Sequence, residues 1–136
     1  MKAILAIDQG TTGTTVAVMN TRGVLLGSVN YEFPQIYPKP GWVEHDPEAI
    51  WASVFKGIRA VFRRGLCKPD DVACIGITNQ RETSLLWQRR SGKPLGNAIV
   101  WQCRRTASFC DGLRRKGLEP MVRDRTGLVL DPYFSA

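Results

Sequence analysis

Ile4 to Met19 reads ILAIDQGTTGTTVAVM, and this stretch decides the fold. Two apolar runs, Ile4-Leu5-Ala6-Ile7 and Val16-Ala17-Val18-Met19, flank a polar segment with one acid, two glycines and four threonines, the pattern of strand, tight turn and strand. Gly10 and Gly13 let the backbone turn sharply and approach another group closely. The hydroxyls of Thr11, Thr12, Thr14 and Thr15 add donors beside free backbone N–H groups, a combination that suits a phosphate. Asp8, which closes the first apolar run, is placed to meet a hard cation such as Mg²⁺, directly or through water. The same residue types also make an ordinary polar hairpin turn without a ligand. This is not a Walker loop, which would need a Gly-Lys-Ser/Thr ending.

Working outward, Asn20 to Gly23 reads as a turn and Val24 to Val29 as a third strand, so an antiparallel meander opens the chain. Phe33 to Glu44 (FPQIYPKPGWVE) is rich in proline and predicts an extended surface loop with few ladder hydrogen bonds. Asp46-Pro47-Glu48 is a helix start: an N-cap acid, proline in the first turn and a second acid facing the helix dipole. Ile50, Val54, Ile58 and Val61/Phe62 share one helical face, Arg63-Arg64 fill the last turn and Gly65 follows the end. Val72 to Thr78 (VACIGIT) is almost wholly apolar and predicts a buried strand at the centre of a sheet covered on both faces. Asn79-Gln80-Arg81-Glu82 comes at its carboxyl end, where ligands sit in open α/β sheets. A second hairpin is predicted from Thr83–Trp87 to Ala98–Trp101, and a helix over Arg104 to Lys116 with Gly117 as terminator.

The chain has 136 residues, 43% of them hydrophobic, enough for one sizeable core and one globular domain. Nineteen Lys and Arg against twelve Asp and Glu give a formal charge of +7, which favours anionic partners such as phosphorylated small molecules or nucleic acid. The basic pairs are scattered along helix faces and ends, and no nucleic-acid motif accompanies them, so no nucleic-acid partner is expected. The four cysteines form no C-x-x-C pair and His45 is the only histidine, which argues against zinc. The apolar segment before Asp8 is too short for a signal peptide and no later run approaches membrane-spanning length. A cytoplasmic protein with reduced thiols and no membrane insertion is the expectation.

Asp8-Gln9-Gly10-Thr11-Thr12, Tyr37 to Glu44 (YPKPGWVE), Ile77 to Glu82 (ITNQRE), Ala98 to Arg105 (AIVWQCRR), Thr126-Gly127-Leu128 and Asp131 to Ser135 (DPYFS) together resemble the glycerol kinases of the FGGY family of carbohydrate kinases. The resemblance spans the whole chain, in order and at similar spacing. It implies an α/β fold of the ribonuclease H-like, actin-like ATPase kind, with a mixed sheet. Residues 1–136 would be an amino-terminal domain that is still unfinished at its last residue, the carboxy-terminal domain being absent. The implied activity is ATP-dependent phosphorylation of glycerol to sn-glycerol 3-phosphate, in an intact enzyme that is a homo-oligomer.

The resemblance also implies roles. Asp8 would help hold Mg²⁺, and Thr11, Thr12, Gly13 and Thr15 would line the site of the ATP phosphates. Arg81, Glu82 and Tyr133 would hydrogen-bond the hydroxyls of glycerol, and Trp101 would cover its carbon face. A small triol needs donors and acceptors to fix its orientation and an aromatic wall to exclude water. Where family members often continue the phosphate turn with serines and then an arginine, this chain has Gly13-Thr14-Thr15. The family's general-base aspartate and adenine-binding domain lie beyond this stretch, so the catalytic base is not assigned here. A non-catalytic glycerol-binding fragment, a related FGGY sugar kinase, and a nuclease of the same broad fold remain alternatives.

Overall fold

The computed structural model of the chain describes residues 2–135. They cluster into two compact units, one of residues 2–34 and 46–80, the other of residues 35–45 and 81–135.

The first unit is built on β1 (Ala3–Gln9), β2 (Gly13–Asn20) and β3 (Leu25–Glu32), joined as the expected antiparallel meander. The β2–β3 turn is tied by the Asn20 side chain, whose Oδ1 accepts the N–H groups of Arg22 and Val24 at 2.9 and 3.0 Å. α1 (Pro47–Arg63) then crosses the sheet, as a parallel return requires, and β5 (Val72–Thr78) pairs in parallel with β1. The strand order is β3-β2-β1-β5, a mixed sheet. Asp46 caps α1 by accepting the Glu48 N–H at 2.9 Å, and Gly65 just past the other end has φ 70°, a left-handed conformation that suits glycine.

Alternation along the strands aims Leu5, Ile7, Val16, Val18 and Val29 at α1, where Ala60 and Val61 complete the core. The helix comes close because Gly57 faces β2: a Cβ there would lie 2.5 Å from Val16 Cγ2.

β5 departs from the expectation. It is an edge strand, and Ile75 and Ile77 are 56% and 72% exposed rather than buried at a sheet centre. Register explains why. Ile77 is the next position across from Ile7 and Val16 in one cross-strand row, so the apolar face continues onto β5. α1 contacts β1, β2 and β3, and its cover stops short of β5.

In the second unit the proline-rich stretch is less bare than its composition predicts. Ile36 and Glu44 exchange backbone hydrogen bonds at 3.0 and 2.8 Å, and β4 (Glu44–His45) pairs antiparallel with β6 (Ala98–Ile99). The predicted hairpin from Thr83–Trp87 to Ala98–Trp101 reduces to two bridges, Ser84 with Ile99 and Trp87 with Pro94. These are three residues apart on one side and five on the other, and this slip breaks the ladder. Two helices follow, α2 (Ala107–Arg115) where a helix over 104–116 is predicted, and α3 (Glu119–Thr126), which the sequence reading missed. α3 has no apolar periodicity to announce it, but it carries a proline in its first turn and ends on Gly127 at φ 72°. Cys103 and Cys110 are buried free thiols. Among the described residues no helix is long and apolar enough to cross a membrane.

Candidate functional site

The predicted site residues divide between the two units. Asp8, Thr11, Thr12, Gly13 and Thr15 belong to the first, and Arg81, Glu82, Trp101 and Tyr133 to the second.

In the first unit, register gathers polar groups at the strand ends. Asp8 is opposite Thr15 on β2 and Thr78 on β5, and Thr15 is opposite Asn30 on β3. Cross-strand partners share a face, so Thr78, Asp8, Thr15 and Asn30 form one polar row across four strands, on the face away from α1. Asn30 donates to the Thr15 hydroxyl at 2.9 Å. Asp8 is exposed in the middle of this row. Asn30 and Thr78 were not predicted, because cross-strand register is invisible until the pairing is known.

The turn between β1 and β2 is closed by Gly10 N–H donating to Gly13 C=O at 2.9 Å. The glycines act through close approach, since neither has a positive φ. A Cβ on Gly13 would lie 2.8 Å from the Tyr31 carbonyl oxygen of β3, and one on Gly10 would be 3.3 Å from Gly13 O. Thr14, next to them, is wholly buried and turned to the other face, where its hydroxyl lies 2.7 Å from Ser53 Oγ of α1. Ser53 spends its own proton on the Ile50 carbonyl at 2.7 Å, which makes Thr14 the donor. The turn is thereby fastened to the helix, while Thr12 remains exposed.

No group of three or more His, Cys, Asp or Glu side chains able to hold a metal occurs among the described residues. A single exposed carboxylate flanked by threonine hydroxyls is still a suitable donor set for Mg²⁺, which keeps several waters and takes one or two carboxylates together with substrate phosphates.

In the second unit, the segment 131–135 draws three of the four predicted residues together. The Glu82 carboxylate accepts the backbone N–H and the hydroxyl of Ser135, at 2.9 and 2.7 Å. These bonds hold its pKa below the ordinary glutamate value, with the Arg81 charge as a smaller cause. Glu82 also has φ 58°, the one positive φ at a non-glycine residue among those described. Strain of this kind collects at functional sites. The Trp101 and Tyr133 rings meet edge to face at 5.3 Å, and Tyr133 meets Phe134 in the same manner at 4.9 Å. Arg81 is exposed.

Three residues outside the predicted set position these. Asp131 Oδ1 accepts the Tyr133 N–H at 2.8 Å and pairs with Arg104 at 3.1 Å, and these contacts keep its carboxyl well ionised. Arg104 in turn donates its backbone N–H to Gly41 at 2.7 Å. Arg105 stacks on Trp42 at 3.9 Å and pairs with Glu44, whose pKa its hydrogen bond lowers. The two arginines therefore hold the segment that follows Trp101.

The FGGY family of carbohydrate kinases, N-terminal domain, matches residues 3–136. The chain is 53% identical over 134 residues to the glycerol kinase of Caldanaerobacter subterraneus subsp. tengcongensis, covering 98% of this chain and 27% of that protein. It is 53% identical over 135 residues to glycerol kinase 2 of Thermotoga maritima, covering 99% and 27%. A crystal structure of Plasmodium falciparum glycerol kinase with ADP superposes with a TM-score of 0.90 at 36% identity, over all of this chain and 27% of that one. The chain thus spans about a quarter of the length of these relatives. Its α/β architecture with a mixed sheet is that of the actin-like ATPases.

Proposed function

The chain belongs to the FGGY family of carbohydrate kinases, and on that premise we propose that it supplies the amino-terminal part of a glycerol kinase, transferring the terminal phosphoryl group of ATP to glycerol. The observation that carries the reading is the cluster in which Ser135 fixes Glu82 while Tyr133 packs on Trp101. It offers an ionised acceptor for a hydroxyl beside an aromatic wall for a short carbon chain. Arg81, next to Glu82, would donate to a neighbouring hydroxyl, and the Tyr133 phenol would complete the orientation of the triol.

Thr11, Thr12, Gly13 and Thr15 would receive the nucleotide phosphates through hydroxyl and backbone N–H groups. Asp8 would hold Mg²⁺, which when bound neutralises charge on the phosphates. Phosphoryl transfer depends chiefly on such positioning and charge neutralisation, so two sets of residues with separate duties suit the reaction.

The test is a chimera in which residues 1–136 replace the matching segment of the Thermotoga maritima enzyme. It should phosphorylate glycerol in preference to xylulose and gluconate. Arg81→Ala should raise KM for glycerol roughly ten- to a hundredfold with little change for ATP, and Thr12→Val should do the reverse. A chimera that prefers a sugar, or an Arg81→Ala variant that loses ATP more than glycerol, overturns the assignment.

A further inference from the structure

The short hairpin between Ser84 and Ile99, in the second unit, is left unused by the site. Gln88 N–H donates to Lys93 C=O at 2.8 Å and Leu95 N–H to Leu86 C=O at 2.9 Å, on either side of the bridge between Trp87 and Pro94. The turn is fixed by Gly92, at φ 71°, whose N–H donates to Gln88 C=O at 2.8 Å. The Ser91 hydroxyl adds a bond to Gln88 Oε1 at 2.6 Å. A ribbon from Leu86 to Leu95 is thereby held in one shape, although every residue from Leu86 to Lys93 is exposed.

Both faces of the ribbon carry uncovered apolar side chains. Register makes Leu86 and Leu95 cross-strand partners on one face, 75% and 71% exposed, and alternation sends Trp87, 59% exposed, to the other. Single exposed apolar residues are ordinary on protein surfaces, but three gathered on one narrow ribbon form a patch. Next to them, toward the tip, come Arg89, Arg90 and Lys93, which enter no ion pair among the described residues. From Thr83 to Cys110 the chain carries no Asp or Glu at all, so nothing nearby in sequence offsets these charges.

We propose that this ribbon docks the chain on an anionic lipid surface. Lying along the bilayer, it buries the Leu86–Leu95 face at the boundary of the acyl chains, while Lys93 on that face snorkels its ammonium back to the headgroups. Trp87 sits at headgroup level, where an indole is favoured, and Arg89 and Arg90 reach the lipid phosphates from the tip. Neither signal is strong alone: three basic residues without apolar anchors, or three apolar residues without charge, would bind only weakly. Their combination on a rigid turn is what selects an anionic bilayer. A nucleic acid would satisfy the arginines but leave both leucines in water, since they offer no flat ring for a base to stack on.

Flotation of the 136-residue chain with vesicles provides the test, one set of phosphatidylcholine alone and one with about a third phosphatidylserine. The chain should float with the anionic vesicles and not with the neutral ones, and added salt should release it. Arg89→Ser with Arg90→Ser should weaken binding roughly tenfold or more, and Leu86→Ser with Leu95→Ser should do likewise at unchanged net charge. Arg123→Ser with Arg125→Ser, which removes the same charge from exposed positions on α3, should leave binding within about twofold. Far-UV circular dichroism verifies that each variant keeps its fold. The proposal is overturned if the anionic vesicles float without the chain, if the α3 pair weakens binding as much as the hairpin pair, or if the leucine variant binds normally. A single-stranded oligonucleotide that strips the chain from the vesicles and is held through Arg89 and Arg90 regardless of the leucines would also overturn it, and would assign the hairpin to nucleic acid.

Discussion

The Glu82 carboxylate and Ser135 are joined by two hydrogen bonds, one from the serine N–H and one from its hydroxyl, across fifty-three residues of sequence. The same glutamate holds a left-handed backbone at φ 58°. A residue with a Cβ is disfavoured in that conformation, so the side chain's task opposes the backbone's preference.

Replacing Glu82 separates the two. Glu82→Gly and Glu82→Ala both remove the carboxylate, but only glycine relieves the backbone. We expect Glu82→Gly to melt roughly 3–6 °C above Glu82→Ala, by circular dichroism, reversing the usual advantage of alanine. Equal melting temperatures would mean that the left-handed conformation carries no strain.

At the heart of the first unit, Gly57→Ala drives a methyl group into Val16 Cγ2, where a Cβ would be only 2.5 Å away. Overpacking of this kind costs about 1–3 kcal/mol. Urea denaturation should show that loss, and Val16→Ala combined with Gly57→Ala should be less destabilised than the sum of the single changes. Strict additivity of the two would show that they do not share the contact.

Much of this was legible in the sequence. The meander follows from ILAIDQGTTGTTVAVM, and the cap and end of α1 from Asp46-Pro47 and Gly65, because local chemistry determines both. Of the four residues expected to grasp the triol, Glu82, Trp101 and Tyr133 are brought together through the segment 131–135. What stayed hidden depends on partners distant along the chain. The duty of Gly13 is to admit β3, the polar row of Asn30 and Thr78 beside Asp8 requires register, and Asp131 is recognisable as a positioning residue only once its contact with Arg104 is seen. VACIGIT was misread because an apolar run signals what a strand requires for cover, and α1 does not extend over β5.

Acid should weaken the second unit through His45. This ring is 0% exposed, with Nε2 2.6 Å from Gln35 Oε1, and burial lowers its pKa below the ordinary 6.5. The folded state therefore binds fewer protons than the unfolded one just below pH 6.5, so stability is full above that value and falls as the pH drops toward the folded pKa. Titration of the ring by NMR should give a midpoint below 6.5, and denaturation between pH 7 and 5 should show stability decreasing. A midpoint at or above 6.5 would contradict the buried neutral ring.

The sharpest contrast lies within one cross-strand row, where Ile7 and Ile77 are direct neighbours on parallel strands. Ile7 is 6% exposed beneath α1 and Ile77 is 72% exposed on the edge. Ile7→Ala empties a packed site and should cost about 2–5 kcal/mol in urea denaturation. Ile77→Lys removes little buried surface and should change stability by less than about 0.5 kcal/mol. Its visible effect should be on association, because a lysine on an open edge discourages strand pairing between molecules. Light scattering at rising protein concentration should therefore fall for Ile77→Lys and not for a control at exposed Arg22. A large stability loss at Ile77 would mean that β5 is covered in solution, and the uncovered continuation of the core row would have to be abandoned.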